Sequence, residues 1–164
     1  MKNRKKGFTM LELIVVMALV GIFTALASLS FAYIRSGNLK SAAKTVDATL
    51  DTLRINTMSR YETPKMYIYK YGDNYYMYCG YSAPDLNSAN GTKIGNNTVK
   101  IFYGSPAKEL VAADGGCVIS YMKGSGAFSD TSPSQILFEK EDAEGVKYKI
   151  DMVTETGKHS LEKY

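Results

Sequence analysis

The chemistry in this chain concentrates near its N-terminus, and it is chemistry done to the chain rather than by it. Lys5-Lys6-Gly7-Phe8-Thr9-Met10-Leu11-Glu12-Leu13 joins a basic leader to a Gly-Phe junction and places one acid four residues after the phenylalanine. Hydrolysis between Gly7 and Phe8 would free an α-amine one helical turn from Glu12. That cation is a partner for Glu12 within the chain. In an assembly of staggered helices it could equally face the Glu12 of a neighbour and set the stagger, because a charge pair in hydrocarbon is strongly favoured over two lone charges. Glu12 needs such a partner because an apolar run follows it. An acid in an apolar membrane segment costs roughly 2.5–3.5 kcal/mol at the helix centre, and somewhat less near an end.

The element that positions these residues is the run from Ile14 to Leu29. Leu13 to Phe23 holds no charged or strongly polar residue, and Thr24, Ser28 and Ser30 are the only interruptions before Tyr33 and Arg35. This gives about twenty apolar residues, the length that crosses a bilayer core as a helix. It is apolar all round, so it calls for lipid or other apolar helices on every side. Lys2, Arg4, Lys5 and Lys6 flank its start, while only Arg35 and Lys40 lie near its end. The positive-inside bias then puts the N-terminus in the cytoplasm and everything after about Tyr33 outside. Two plainer readings compete. A secretory signal peptide cut after Ala25-Leu26-Ala27 leaves Glu12 and Gly7-Phe8 unexplained, and a simple one-helix anchor leaves Glu12 unexplained.

Gly7-Phe8-Thr9-Met10-Leu11-Glu12 followed by an apolar helix resembles the class III signal of type IV prepilins and type II secretion pseudopilins. The resemblance implies that a membrane-embedded prepilin peptidase cuts after Gly7 and methylates the amine of Phe8. It implies that Glu12 guides docking into a growing filament and that the apolar helices pack in the filament core. The partners it implies are other pilin subunits, met through the N-terminal helix, the peptidase, a membrane assembly platform with a cytoplasmic ATPase, and the membrane itself before assembly. Many family members carry a proline where Leu29 stands, so a fixed kink is not expected here. Ala18, Gly21, Ala25 and Ser28 form a small-residue stripe that would let helices approach closely.

The totals narrow the rest. Lys+Arg number 20 against 16 Asp+Glu, but four of the cations lie in the leader, so removing it leaves 16 against 16. A neutral domain gives no electrostatic footprint for nucleic acid. With one histidine and two cysteines, no metal site of known ligand spacing can be assembled. No nucleophile elbow, phosphate loop or dinucleotide fingerprint is present, so neither an enzyme nor a cofactor is expected. The domains read as leader 1–7, membrane and filament-core helix 8–34, amphipathic stem half 35–63, and β-rich head 64–164. In the stem, Leu39, Ala42, Ala43, Val46, Leu50, Leu53 and Thr57 follow one helical stripe. Ser36-Gly37-Asn38 breaks the pattern, as a bend, and Pro64 limits the helix.

In the head, Lys65–Tyr71 and Tyr75–Tyr81 flank Gly72-Asp73-Asn74 as a hairpin with a three-residue loop, and a polar, turn-rich stretch follows from Ser82 to Asn97. Further strands are expected at Thr98–Tyr103, Cys117–Met122, Gln135–Lys140 and Val146–Thr154, with a turn at Glu141–Gly145 and a short final strand over 157–161. The fold class is therefore α+β: a pilin fold, with a long N-terminal helix, transmembrane in its first half, packed on one antiparallel sheet. The 13 tyrosines suit strands and leave an adhesive surface as the other reading. Cys79 and Cys117, outside the membrane, could form a disulfide closing a loop of about forty residues, worth roughly 3–4 kcal/mol, or stay as free thiols.

The segment Leu53 to Met58, the hairpin after it and the close at Thr156-Gly157-Lys158 resemble the minor pseudopilin H group and related minor pilins. Some relatives in DNA uptake carry a basic Gly-Arg-x-Arg stretch near the C-terminus. Gly157-Lys158-His159-Ser160 departs from it, with Lys158 as the one firm cation between Glu155 and Glu162. The expected function is thus a structural subunit, of minor type, in a type IV pilus or pseudopilus at the cell surface. The alternatives are a competence pseudopilin in DNA uptake and a membrane-tethered extracytoplasmic binding domain that never polymerises.

Overall fold

A computed structural model of the chain describes residues 9–140 and 147–163, without the side chains of 26–37 and 113. The chain divides into two units, Met1–Arg35 and Ser36–Tyr164. Helix α1 is assigned over Met10–Ser59 and includes Ser36-Gly37-Asn38, where the sequence suggested a bend. It ends five residues before Pro64, with a last bond from the Arg60 amide to the Asn56 carbonyl (3.0 Å). Beyond that end, the Lys123 ammonium donates to the Tyr61 carbonyl (3.1 Å) and sits 5.0 Å from the centre of the Tyr61 ring. A cation is thereby placed where the helix C-terminus is electronegative.

In the second unit, α1 buries one stripe: Leu39, Ala42, Ala43, Val46, Leu50, Leu53 and Thr57, as their spacing requires. The Thr57 hydroxyl, fully buried, donates to the Leu53 carbonyl one turn back (2.9 Å), so its burial leaves no unpaired donor. The strands follow in order: β1 Lys65–Tyr71, β2 Asn74–Gly80, β3 Thr92–Gly95, β4 Val99–Tyr103, β5 Lys108–Glu109, β6 Cys117–Ser120, β7 Gln135–Lys140, β8 Tyr148–Val153 and β9 Lys158–Lys163. They make two sheets rather than the single one expected, ordered β3-β2-β1-β6 and β5-β4-β7-β8-β9, with every pairing antiparallel.

One apolar core joins the helix stripe to both sheets. It takes Met66, Ile68, Tyr75 and Met77 from the first sheet and Val99, Ile101, Ile136, Phe138, Ile150 and Met152 from the second. On the other face of β1 and β2 the tyrosines pair across strands, Tyr67 with Tyr78 (6.4 Å) and Tyr69 with Tyr76 (5.9 Å, stacked). Such aromatic pairs stabilise a sheet face directly. The Tyr69 hydroxyl meets the Ser88 and Asn90 carbonyls, pinning the loop after β2, and burial raises its pKa.

Further details differ from the sequence reading. Tyr71 pairs with Asn74, so the first hairpin loop is two residues, Gly72-Asp73, not three. The polar stretch after Ser82 holds β3, joined to β2 through a register shift at Tyr75/Tyr76. The last strand runs longer than expected, to Lys163, and the predicted turn at Glu141–Gly145 lies outside the described residues.

Candidate functional site

Gly7 and Phe8 lie outside the described residues, and the described chain begins at Thr9, the residue that caps α1. The Thr9 amide donates to Oε2 of Glu12 (3.3 Å), and the Glu12 amide donates to Oγ1 of Thr9 (3.3 Å). The Thr9 hydroxyl also donates to the same Oε2 (3.3 Å). This is a capping box, in which two amides orphaned at the helix start satisfy each other through side chains. The sequence reading gave Glu12 only an intermolecular or N-terminal partner. The Thr-x-x-Glu spacing ahead of an apolar run was the available signal for this one. Oε2 is engaged, while Oε1 has no hydrogen bond among the described residues. One carboxylate can therefore hold its own helix start and still accept a cation.

From Leu13 to Phe23 the side chains are apolar and exposed. Met10 is 84% exposed, Leu13 59%, Met17 67% and Phe23 67%. Covering each large side chain would contribute roughly 1.5–3 kcal/mol, so a partner medium or partner helices are strongly favoured. The Thr24 hydroxyl donates to the Val20 and Gly21 carbonyls (both 2.9 Å), which removes its demand for water. A Cβ added at Gly21 would meet nothing within 4 Å, so its own chain does not require glycine there. Among the described residues no helix is long and apolar enough to cross a membrane. The described side chains of this run stop at Ala25, short of Leu29 where the apolar run ends.

The head brings together groups that the sequence left apart. His159, on β9, places Nε2 3.6 Å from Oδ1 of Asp47 and 3.6 Å from Oδ1 of Asp51, both on α1. Arg54 donates from Nη2 to the Thr156 carbonyl (3.0 Å). Gly157 takes φ +64°, and a Cβ there would lie 1.8 Å from the Gly126 carbonyl oxygen, so the β8–β9 turn must be glycine at that point. The acids beside His159 oppose a phosphate backbone approaching Lys158. Among the described residues no group of three His, Cys, Asp or Glu could hold a metal ion.

The disulfide weighed from the sequence is not formed: Cys79 and Cys117 are both free thiols. The register gives the reason. Cys79 lies opposite Met66 and Cys117 opposite Ile68, so β1 runs between them. Two strand spacings of about 4.8 Å exceed the Cα separation that a disulfide spans. Cys117 is buried, and desolvation pushes its pKa up to about 12; Cys79 is exposed, with its pKa raised in the same direction.

Residues 2–28 match a family model described as the prokaryotic N-terminal methylation motif. The match takes in Gly7, Phe8, Glu12 and the apolar run to Ser28, and leaves the head unassigned. Among curated proteins and among solved structures nothing matches the chain.

Proposed function

We propose that the chain is a subunit of a type IV pilus or a related pseudopilus, inserted with its N-terminus in the cytoplasm, cut between Gly7 and Phe8 and methylated on the Phe8 amine. The observation that carries this reading is the methylation motif over residues 2–28, set on an apolar helix segment whose described side chains are exposed. Before assembly the membrane covers that segment; in the filament, the same segments of neighbouring copies do. The incoming Phe8 amine meets a Glu12 carboxylate with one oxygen, Oε1, that has no hydrogen bond among the described residues. Pairing relieves the cost of a lone acid in apolar surroundings and so fixes the stagger of one subunit on the next. The helix with antiparallel sheets is compatible with a pilin fold, and the sequence resemblance of Leu53 to Met58, the hairpin after it and the Thr156-Gly157-Lys158 close to minor pseudopilins favours a minor, tip or initiation role.

The test is the mass of the N-terminal peptide of the native protein. A chain that begins at N-methylated Phe8 supports the reading. A chain that begins at Ser28 would mean an ordinary secretory cut after Ala27 and a released head, and the filament reading would be abandoned.

A further inference from the structure

We infer that a cleft on the head, bounded by Asn38 and Ser41 of α1 and by Lys93, Ile94, Gly95 and Asn96 at β3, receives the phosphate of an anionic phospholipid at the membrane surface where the head emerges. The cleft has a volume of about 310 Å³, and among its described lining residues there is no acid. Each of its polar side chains can donate. The Lys93 ammonium, the Asn38 amide and the Ser41 hydroxyl have no side-chain partner among the described residues. Asn96 is oriented as a donor too. Its Oδ1 accepts from the Thr98 hydroxyl (2.6 Å) and from the Thr98 amide (3.3 Å), which leaves Nδ2 without a partner. A cation and three neutral donors around an acid-free cleft suit an oxyanion, and a phosphate brings enough acceptor oxygens to meet all of them.

The source of that phosphate follows from chain length. Asn38 is five residues beyond Tyr33, where the apolar run gives way to polar sequence. That is no more than about 18 Å of chain, so the cleft stays within reach of the headgroup layer bordering the hydrocarbon core. Lys40 and Lys44, both exposed, carry the same sign along this end of α1, and Asp47 is the first acid after them. A soluble anion would not require the cleft to sit so near the end of an apolar run; a lipid headgroup does. An anionic surface attracts such cations, and each lysine near it changes affinity about fivefold.

This inference rests on the membrane reading, and the experiment separates the two. The full chain is first floated with phosphatidylcholine vesicles. It is then placed in phosphocholine micelles and titrated with phosphatidylglycerol, and the amide resonances of Lys93 and the side-chain amides of Asn38 and Asn96 are followed by NMR. The expected result is saturable movement of these resonances with phosphatidylglycerol and none with phosphatidylcholine. Lys93→Gln should weaken the midpoint about fivefold, and Asn38→Ala should weaken it without altering the rest of the spectrum. Equal movement with inorganic phosphate alone would make the cleft a free-anion site and overturn the lipid assignment. Flotation without any phosphatidylglycerol-dependent movement would sink this inference alone, whereas failure to float would remove the membrane reading and this inference with it.

Discussion

Glu12 has one role in the structure and a second in the proposed assembly, and one substitution can separate them. As the last residue of the capping box it holds the Thr9 amide, and glutamine serves that position as well as glutamate does. As a charge it is available to an incoming amine, and glutamine is not. Glu12→Gln should therefore leave helix content and membrane insertion unchanged and remove the subunit from filaments, scored by its presence in sheared filament fractions. Thr9→Ala should do the reverse, weakening the helix start by about 1 kcal/mol while sparing the charge. Normal incorporation of Glu12→Gln would show that the charge does not set docking.

The two cysteines differ in what surrounds them. Cys79 should react with a thiol reagent in the native protein and Cys117 only on unfolding. Burial raises the Cys117 pKa to about 12 from 9.0, so the unfolded chain gives up this proton at lower pH than the folded one. The stability that follows from this is fully present below pH ~9 and is lost as pH rises toward ~12, at up to about 1.4 kcal/mol per pH unit. Cys117→Ala should flatten that loss in denaturant titrations between pH 9 and 10, below the range where the raised Tyr69 and Tyr121 hydroxyls add to it. At this scale the sequence was informative about the leader, where residue types and spacing are themselves the signal. It was silent on His159, Asp47 and Asp51, which the fold brings together from positions over a hundred residues apart.

Among the elements, the stem helix was readable because its stripe of seven buried residues repeats at helical spacing, and β1, β2 and β7 because each is a run of good strand formers. The division into two sheets was not readable. Alternation tells which face a residue occupies but not which strand lies alongside it, and β6 returns to β1 while β7 crosses to β4. β3 and β5 escaped for a different reason: four and two residues carry too little periodicity to register. The turn between β8 and β9 shows how tightly these elements close. Gly157→Ala would drive a Cβ into the Gly126 backbone, whereas Gly72→Ala, with φ +57° and open space, meets only the left-handed backbone penalty of about 1–2 kcal/mol. Thermal unfolding should rank Gly157→Ala as clearly the more damaging. Equal melting temperatures would mean that the β8–β9 turn does not bear on the loop at Gly126 as described.

For the molecule as a whole, the question is which surface can build a polymer. Exposed sheet edges are the usual hazard, and the head blunts them. The outer edge of β6 is met by the loop at Ser129–Ser132: the Ser129 amide bonds to the Ser120 carbonyl (2.9 Å) and the Ser132 hydroxyl accepts from the Ser120 amide (3.1 Å). On the other sheet, β5 is two residues long and β9 carries Lys158, Glu162 and Lys163, while β3 is only four residues. Short, charged or covered edges make poor templates, so association should depend on the apolar segment from Met10 rather than on the sheets. The head also buries a core of its own between α1 and both sheets. A chain starting at Ser36 should accordingly fold, unfold cooperatively and sediment as a monomer, while the processed full chain associates once detergent is withdrawn. Fibres formed by the Ser36–Tyr164 unit alone would place assembly on the sheet edges and remove the reason for keeping so much apolar surface uncovered ahead of it.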